Sequence, residues 1–138
     1  PAWKSPREMT DSEVLAVLLS PESEELHLLK ALEEASERNL PELVRAGRKL
    51  LQHDSYLVRI ETIKALRITG DKSAVPLLVE TLNDHDPIVR GHAANALGAL
   101  GSRRALAFLS ESYQRETQPE VKITMRRAIE KINGFPLQ

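Results

Sequence analysis

The chain has 138 residues, a formal net charge of −1 and no cysteine. Hydrophobic residues make up 41% of it and charged residues 28%, a balance typical of a folded domain. The lack of cysteine excludes disulfides, thiolate catalysis and cysteine-ligated zinc, and the small net charge gives no field that would attract nucleic acid or an anionic membrane. The longest uncharged apolar run, VLAVLLS at 14–20, is too short to span a bilayer. These features predict one cytoplasmic domain over residues 1–138, without a membrane span.

The first part of the chain, residues 1–53, predicts helices of irregular spacing. MTDSEVLAVLL begins with a capping box formed by Thr10 and Glu13. A second helix is predicted to begin at Ser20-Pro21 in SPESEELHLLKALEEA. A third is predicted in NLPELVRAGRKLLQ, with Asn39 as its N-cap. Because no stretch has the period-two alternation of a strand, the sequence predicts an all-α protein.

The second part of the chain contains an internal repeat of about thirty residues. YLVRIETIKALRITGDKSAVPLLVETL (56–82) aligns without gaps over PIVRGHAANALGALGSRRALAFLSESY (87–113), and a partial third copy, PEVKITMRRAIEKING, follows from residue 119. Each full copy predicts two helices with a glycine between them. Leu66, Leu97 and Ile129 occupy one equivalent position, and we expect all three to be buried between helices.

The helix ends of the second copy have clear signals. Asp86 can cap the first backbone N–H groups, Pro87 suits the first helical position, and Gly101 can adopt the left-handed conformation that ends a helix. In the third copy Arg126 replaces an apolar residue of the earlier copies. We therefore expect Arg126 to be exposed and the repeats to end near Gly134.

DPIVRGHAANALGALG followed by RRALAFLSESY resembles the short bacterial type of HEAT-like repeat, best known from phycobilin lyase subunits. The resemblance implies a HEAT-like α-solenoid, a right-handed superhelix of stacked antiparallel helix pairs whose second helices line a concave binding surface. It also implies that Arg59, Arg90 and Lys122 form a ladder with acidic groups between neighbouring repeats. The expected divisions are irregular N-terminal helices at 1–53, repeats at 54–84 and 85–116, a partial repeat at 117–134 and a tail at 135–138.

The sequence offers little for catalysis or metal binding. Asp84-His85-Asp86 and His53-Asp54 lie at equivalent turns, where aspartate is common for backbone reasons, so no metal site is predicted. Deoxyhypusine hydroxylases, another family with HEAT-like repeats, bind iron through His-Glu pairs on first helices, but the matching stretches here read VRGHAAN, VRIETIK and VKITMRR. The chain also lacks a G-x-S-x-G nucleophile elbow and a glycine-rich phosphate loop. The sequence therefore predicts a protein that is not an enzyme, with no catalytic, metal-binding or cofactor-binding residues and no cofactor.

The predicted function is that of a non-catalytic protein–protein interaction scaffold or adaptor, either a monomer or part of a hetero-complex. Its partner would be another protein that binds the concave second-helix face. That face lies opposite the apolar stripe and carries charges of both signs, which suit a polar protein surface better than a phosphate backbone. The predicted partner-binding residues are Lys49, Glu80, Asn83, Asp84, Glu111 and Arg115.

Two alternatives remain open at the level of sequence. One is a chromophore- or ligand-handling protein of the phycobilin lyase type, acting as a lyase-like subunit with a partner, although cysteine and clustered aromatics are missing. The other is binding to a nucleic-acid backbone through basic side chains, which is disfavoured because no aromatic residues interleave them. Those basic residues are Arg45, Arg48, Lys49, Lys122, Arg126, Arg127 and Lys131.

Overall fold

The computed structural model describes residues 3–134, and within that range the chain forms eight α-helices, three short 3-10 helices and no strand. The all-α prediction is confirmed. The 3-10 helices are Pro6–Glu8, Lys72–Ala74 and Arg103–Ala105. The α-helices are α1 (Asp11–Leu19), α2 (Glu25–Glu37), α3 (Leu43–Leu50), α4 (Tyr56–Thr69), α5 (Val75–Thr81), α6 (Pro87–Leu100), α7 (Leu106–Arg115) and α8 (Pro119–Asn133).

The predicted helix signals are confirmed at α1 and α6. Thr10 and Glu13 form both bonds of the capping box. The carboxylate of Asp86 accepts a hydrogen bond from the backbone N–H of Ile88 at 2.8 Å, and Pro87 is the first residue of α6. Gly101 ends α6 with a φ of 69°, a conformation that costs glycine little because it has no Cβ.

The predicted starts of the second and third helices are wrong. Ser20 is the C-cap of α1, and its hydroxyl accepts a hydrogen bond from the backbone N–H of Glu22. A polar turn therefore separates α1 from α2, which begins at Glu25. Asn39 has a φ of 54°, and its N–H donates to the carbonyl of Ser36. Asparagine suits this left-handed conformation as well as it suits an N-cap. Asn39 thus follows the end of α2 and does not start α3.

Among the described residues, 3–69 and 70–134 form two compact units. In the first unit, α2 packs against α1 and α4, and α3 also packs against α1 and α4. In the second unit, α6 packs against α5 and α8, and α7 packs against α8. Each unit has its own buried aliphatic core, which includes Leu28, Leu32, Leu43, Leu50 and Leu66 in the first and Leu78, Leu97, Leu109, Met125 and Ile129 in the second.

The expected burial of the shared repeat position and the expected exposure of Arg126 are also confirmed, whereas the end of the repeats near Gly134 stays a prediction. Leu66, Leu97 and Ile129 are all buried. Arg126 is exposed, and α8 ends at Asn133 with Gly134 as its left-handed cap. The predicted tail at 135–138 lies outside the described residues. Within residues 3–134, none of the helices combines the length and the apolar character needed to cross a bilayer.

Candidate functional site

A polar cleft lies in the second unit, where the chain leaves α5 and where α7 ends. It has a volume of about 270 Å³, and its lining includes Asn83, Asp84, Arg90, Arg115 and Glu116. Asn83 and Asp84 lie in the turn between α5 and α6, Arg90 lies in the first turns of α6, and Arg115 is the last residue of α7. Helix ends from three parts of the unit therefore bring charged groups of both signs into one place.

An ion pair between Arg90 and Glu116 forms one wall of this cleft. The guanidinium donates from Nε to Oε1 of Glu116 at 2.8 Å and from Nη2 to Oε2 at 2.9 Å. Arg90 Nη1 also donates to the backbone carbonyl oxygens of Asp84 and His85. The hydrogen bonds from Arg90 hold the pKa of Glu116 below its usual value, and the hydrogen bond to Glu116 raises the pKa of Arg90.

The contacts of Lys122 differ from those of Arg90, whereas Arg59, like Arg90, donates to two backbone carbonyls. Lys122 donates to the backbone carbonyl of Tyr113 at 3.0 Å, and its ammonium lies 4.4 Å from the centroid of the Tyr113 ring. Arg59 donates to the carbonyl oxygens of His53 and Asp54. Arg90 thus has a carboxylate partner, whereas Lys122 is held by a carbonyl and an aromatic face.

Three of the predicted partner-binding residues lie together. Arg115 Nη2 donates to Oδ1 of Asn83 at 3.0 Å and lies 3.8 Å from Oε1 of Glu111. The side chains of Arg115 and Glu111 are 59% and 68% exposed, so this pair is accessible and only weakly fixed. Asp84 is less accessible, because its carboxylate accepts a hydrogen bond from the backbone N–H of Asp86 at 2.9 Å and shapes the turn.

The remaining two predicted residues lie elsewhere. Glu80 is exposed on α5 and lines a separate groove with Phe108 of α7. Lys49 belongs to the first unit, where its ammonium donates to the carbonyl of Leu19. The structure therefore brings together Asn83, Glu111 and Arg115, and the binding role of the whole predicted set stays a prediction.

Phe108 is a surface feature that the repeat alignment did not reveal. It aligns with Leu77 of the preceding copy, which is buried, whereas Phe108 is 51% exposed. Aromatic side chains are enriched in the buried core of protein interfaces. The one available signal was the placement of a rare aromatic residue, in a chain with two phenylalanines, on a helix of a repeat.

The described residues do not supply the donors of an iron site built from His-Glu pairs. No group of three or more His, Cys, Asp or Glu side chains within residues 3–134 is arranged to hold a metal ion. The two residues that follow the basic position in each copy are not a His-Glu pair. They are Ile60-Glu61 in α4, Gly91-His92 in α6 and Ile123-Thr124 in α8.

The family model for HEAT repeats matches residues 48–130. The chain belongs to the HEAT-repeat family. With the helical architecture above, this places the protein in the α-solenoid class that the repeat predicted. The repeats alone do not say what the protein does, so its relatives bear on function.

Several relatives are named deoxyhypusine hydroxylase. The enzyme of Candida albicans is 39% identical over 82 residues, which are 58% of this chain and 26% of the relative. Deoxyhypusine hydroxylase-B of Oryza sativa subsp. japonica is 35% identical over 101 residues, 72% of this chain and 31% of the relative. The Homo sapiens enzyme is 35% identical over 81 residues, 57% of this chain and 26% of the relative. The chain therefore spans about a quarter to a third of the length of these relatives.

These relatives correct two predictions. The HEAT-like resemblance is confirmed, but the similar proteins are eukaryotic deoxyhypusine hydroxylases rather than bacterial proteins of the phycobilin lyase type. The prediction of a non-catalytic scaffold that is not an enzyme is wrong, because the relatives carry the name of an enzyme and point to a catalytic function. Missing His-Glu pairs are therefore no evidence against the relationship, which shows as identity over 81 to 101 residues.

Proposed function

We propose that this chain is part of a hydroxylase related to the deoxyhypusine hydroxylases, and that it contributes a substrate-binding surface rather than metal ligands. The observation that carries the proposal is the 33–40% identity to proteins of that name over 81 to 101 residues. The residue pairs in α4, α6 and α8 restrict the role of this chain, because none of them is a His-Glu pair. Binding and orienting a substrate requires no such pair.

The exposed charges of the second unit suit a cationic substrate group. Deoxyhypusine is a lysine derivative whose amines are protonated at neutral pH, and Glu80 and Glu111 present exposed carboxylates. Asn83 and Arg115 add a hydrogen-bonding group and a positive charge beside Glu111. Charges of both signs set the orientation of a bound partner more than its affinity. The partner we propose is a protein that carries the deoxyhypusine residue.

Some predictions from the sequence are kept as parts of this proposal. Lys49 and Asp84 stay in the proposed binding set with lesser weight, since a carbonyl and a backbone N–H already engage them. The repeat limits at 54–84, 85–116 and 117–134, the single-domain organisation and the cytoplasmic location are also kept. None of them is required for the binding experiment.

The experiment measures calorimetrically how this chain binds two peptides that differ only in a deoxyhypusine or a lysine at the central position. We expect the deoxyhypusine peptide to bind more tightly, because its additional amine adds a positive charge that an exposed carboxylate can attract. The double variant Glu80→Lys/Glu111→Lys should lose this preference while its melting temperature stays nearly unchanged. Equal affinity for the two peptides, or binding of neither, would contradict the proposal.

A matched control carries the same change of charge at other exposed positions. Glu37→Lys/Glu120→Lys alters two exposed glutamates, one at the end of α2 and one in the first turn of α8, and should keep the preference for deoxyhypusine. Anaerobic titration with ferrous iron tests the other half of the proposal. Because the donor set is missing from the described residues, we expect no stoichiometric iron binding, and a stoichiometric complex would show that the chain does supply metal ligands.

A further inference from the structure

A second groove of the second unit, between α5 and α7, is largely apolar. It has a volume of about 570 Å³, and its walls include Val75, Pro76, Val79 and Phe108. Phe108 is half exposed in this groove. A volume of this size lies within the roughly 300–1,000 Å³ of typical ligand pockets. The groove therefore has both the room and the apolar surface to accept a side chain from outside.

The two ends of this groove differ in charge. Lys72 and Arg104 lie in the 3-10 helices that precede α5 and α7, and both are exposed in its lining. Glu80 lies in the last turn of α5. It follows Lys72 by eight residues, which corresponds to roughly 12 Å at 1.5 Å per residue. Ser73 and Ser102, which also line the cationic end, offer hydroxyl groups for hydrogen bonds. An occupant with an acidic group at this end would match the two cations.

We propose that this groove binds a peptide segment that places an apolar side chain against Phe108 and an acidic residue between Lys72 and Arg104. The aromatic ring provides a large rigid contact area at a small entropic cost, as aromatic anchors of interfaces do. The two cations select the sign of the neighbouring residue, since a basic residue there would be repelled. Binding at this groove is independent of whether the chain takes part in hydroxylation.

The test uses two fluorescein-labelled peptides and measures fluorescence anisotropy with the whole chain. One peptide has a leucine flanked on its N-terminal side by glutamates, and the other has lysines in place of the glutamates. We expect the acidic peptide to bind at least about tenfold more tightly, and Phe108→Ala to weaken it by about tenfold, the loss typical of a truncated anchor. Lys72→Glu/Arg104→Glu should reverse the preference between the two peptides.

Two control variants separate this groove from other surfaces. Ile88→Ala removes an apolar side chain of α6 that is as exposed as Phe108, and it should leave binding unchanged. Glu111→Lys alone, at an exposed residue outside the lining of this groove, should weaken the deoxyhypusine peptide of the previous experiment but not the acidic peptide. The two proposals can therefore fail separately.

Fluorine NMR locates the contact directly. The chain has two phenylalanines, so labelling with 4-fluorophenylalanine gives two resonances, and Phe108→Leu identifies the one from Phe108. We expect saturation with the acidic peptide to shift the Phe108 resonance. The proposal is overturned if the two peptides bind equally, if Phe108→Ala keeps full affinity, or if the chain self-associates through Phe108 and the occupant is a second copy.

Discussion

At the scale of single residues, Glu116 shows how the polar cleft is held together. Its side chain is 2% exposed, and its carboxylate accepts two hydrogen bonds from Arg90. The backbone N–H groups of Thr117 and Gln118 also donate to it. A carboxylate so enclosed is stable only while these partners remain, because an unpaired buried charge is costly. Glu116 is therefore a structural residue of the cleft, whereas Glu111 remains accessible to a ligand.

Replacing Glu116 with glutamine tests this structural role. The amide keeps the shape of the side chain, but its NH₂ group would face the guanidinium of Arg90 and leave that charge without its partner. We expect Glu116→Gln to lower the free energy of unfolding by about 2–3 kcal/mol. Urea denaturation measures the effect. Glu111→Gln is the control, since its exposed pair with Arg115 should contribute less than about 0.5 kcal/mol, and equal midpoints for the two variants would contradict the assignment.

The same pair predicts a pH dependence of stability. Arg90 lowers the pKa of Glu116 in the folded state below its usual 4.5, so the unfolded state takes up the proton first as the pH falls. The contribution of Glu116 is thus complete above that value and is lost as the pH falls through the lowered pKa. The stability difference between the native chain and Glu116→Gln should stay constant from neutral pH to about pH 5 and narrow in more acidic buffer. A difference that narrows between neutral pH and pH 5 would mean that another group is responsible.

At the scale of the helices, the close approach of α6 and α8 depends on small residues. A Cβ on Gly98 would lie 3.0 Å from the Cα and 3.1 Å from the Cβ of Ala128. The nearest obstacle is therefore backbone, which cannot move aside as a flexible side chain can. Gly91, in the same helix, has more room, since a Cβ there would be 3.9 Å from Val121.

The substitutions Gly98→Ala and Gly91→Ala should accordingly have opposite effects. Alanine at residue 98 forces α8 away from α6, and we expect a loss of about 1–3 kcal/mol in the free energy of unfolding. Alanine at residue 91 meets an ordinary contact and gains helix propensity of up to about 1 kcal/mol. Thermal unfolding of both variants checks the contrast. If Gly98→Ala were as stable as Gly91→Ala, the two helices would not be packed as closely as the structure has them.

Helix ends were predictable from sequence where a residue type favours only one position at a helix end. Asp86, Pro87 and Gly101 each favour one position at a helix end, and α6 begins and ends where they indicate. Asn39 failed as a signal, because asparagine suits both an N-cap and a left-handed residue after a helix. The start of α2 was misplaced for a related reason, since the proline after Ser20 also suits a turn.

The candidate site was predictable to a smaller extent. The spacing placed Asn83, in the turn after α5, near Arg115 of α7, and the two side chains do contact each other, whereas Glu80 of α5 lines another groove. The exposure of Phe108 could not be inferred, because the alignment equates it with the buried Leu77 and the difference arises from packing against other helices. The enclosure of Glu116 likewise depends on Arg90, which is distant in sequence.

At the scale of the whole molecule, a repeat protein must keep its uncovered helix faces polar. Each repeat buries an apolar face against its neighbours, and a helix without a neighbour on one side needs charged residues there to stay soluble. On α8, Arg126 is 48% exposed and lies 3.6 Å from Glu130 one turn later. The equivalent positions of α4 and α6, Ile63 and Ala94, are buried. The charge of Arg126 thus distinguishes α8 from the helices that are covered.

Replacing Arg126 with isoleucine gives α8 the apolar residue type that α4 and α6 have at this position. No neighbour among residues 3–134 would cover the new side chain. We expect stability within about 0.5 kcal/mol of the native chain, because the site is on the surface and its ion pair with Glu130 is exposed. The new apolar contact should instead promote self-association, visible as faster, concentration-dependent sedimentation. Arg126→Gln, which removes the charge without adding an apolar surface, should sediment as the native chain does. Unchanged sedimentation of Arg126→Ile together with a marked loss of stability would show that Arg126 supports the packing of α8 rather than keeping its outer face polar.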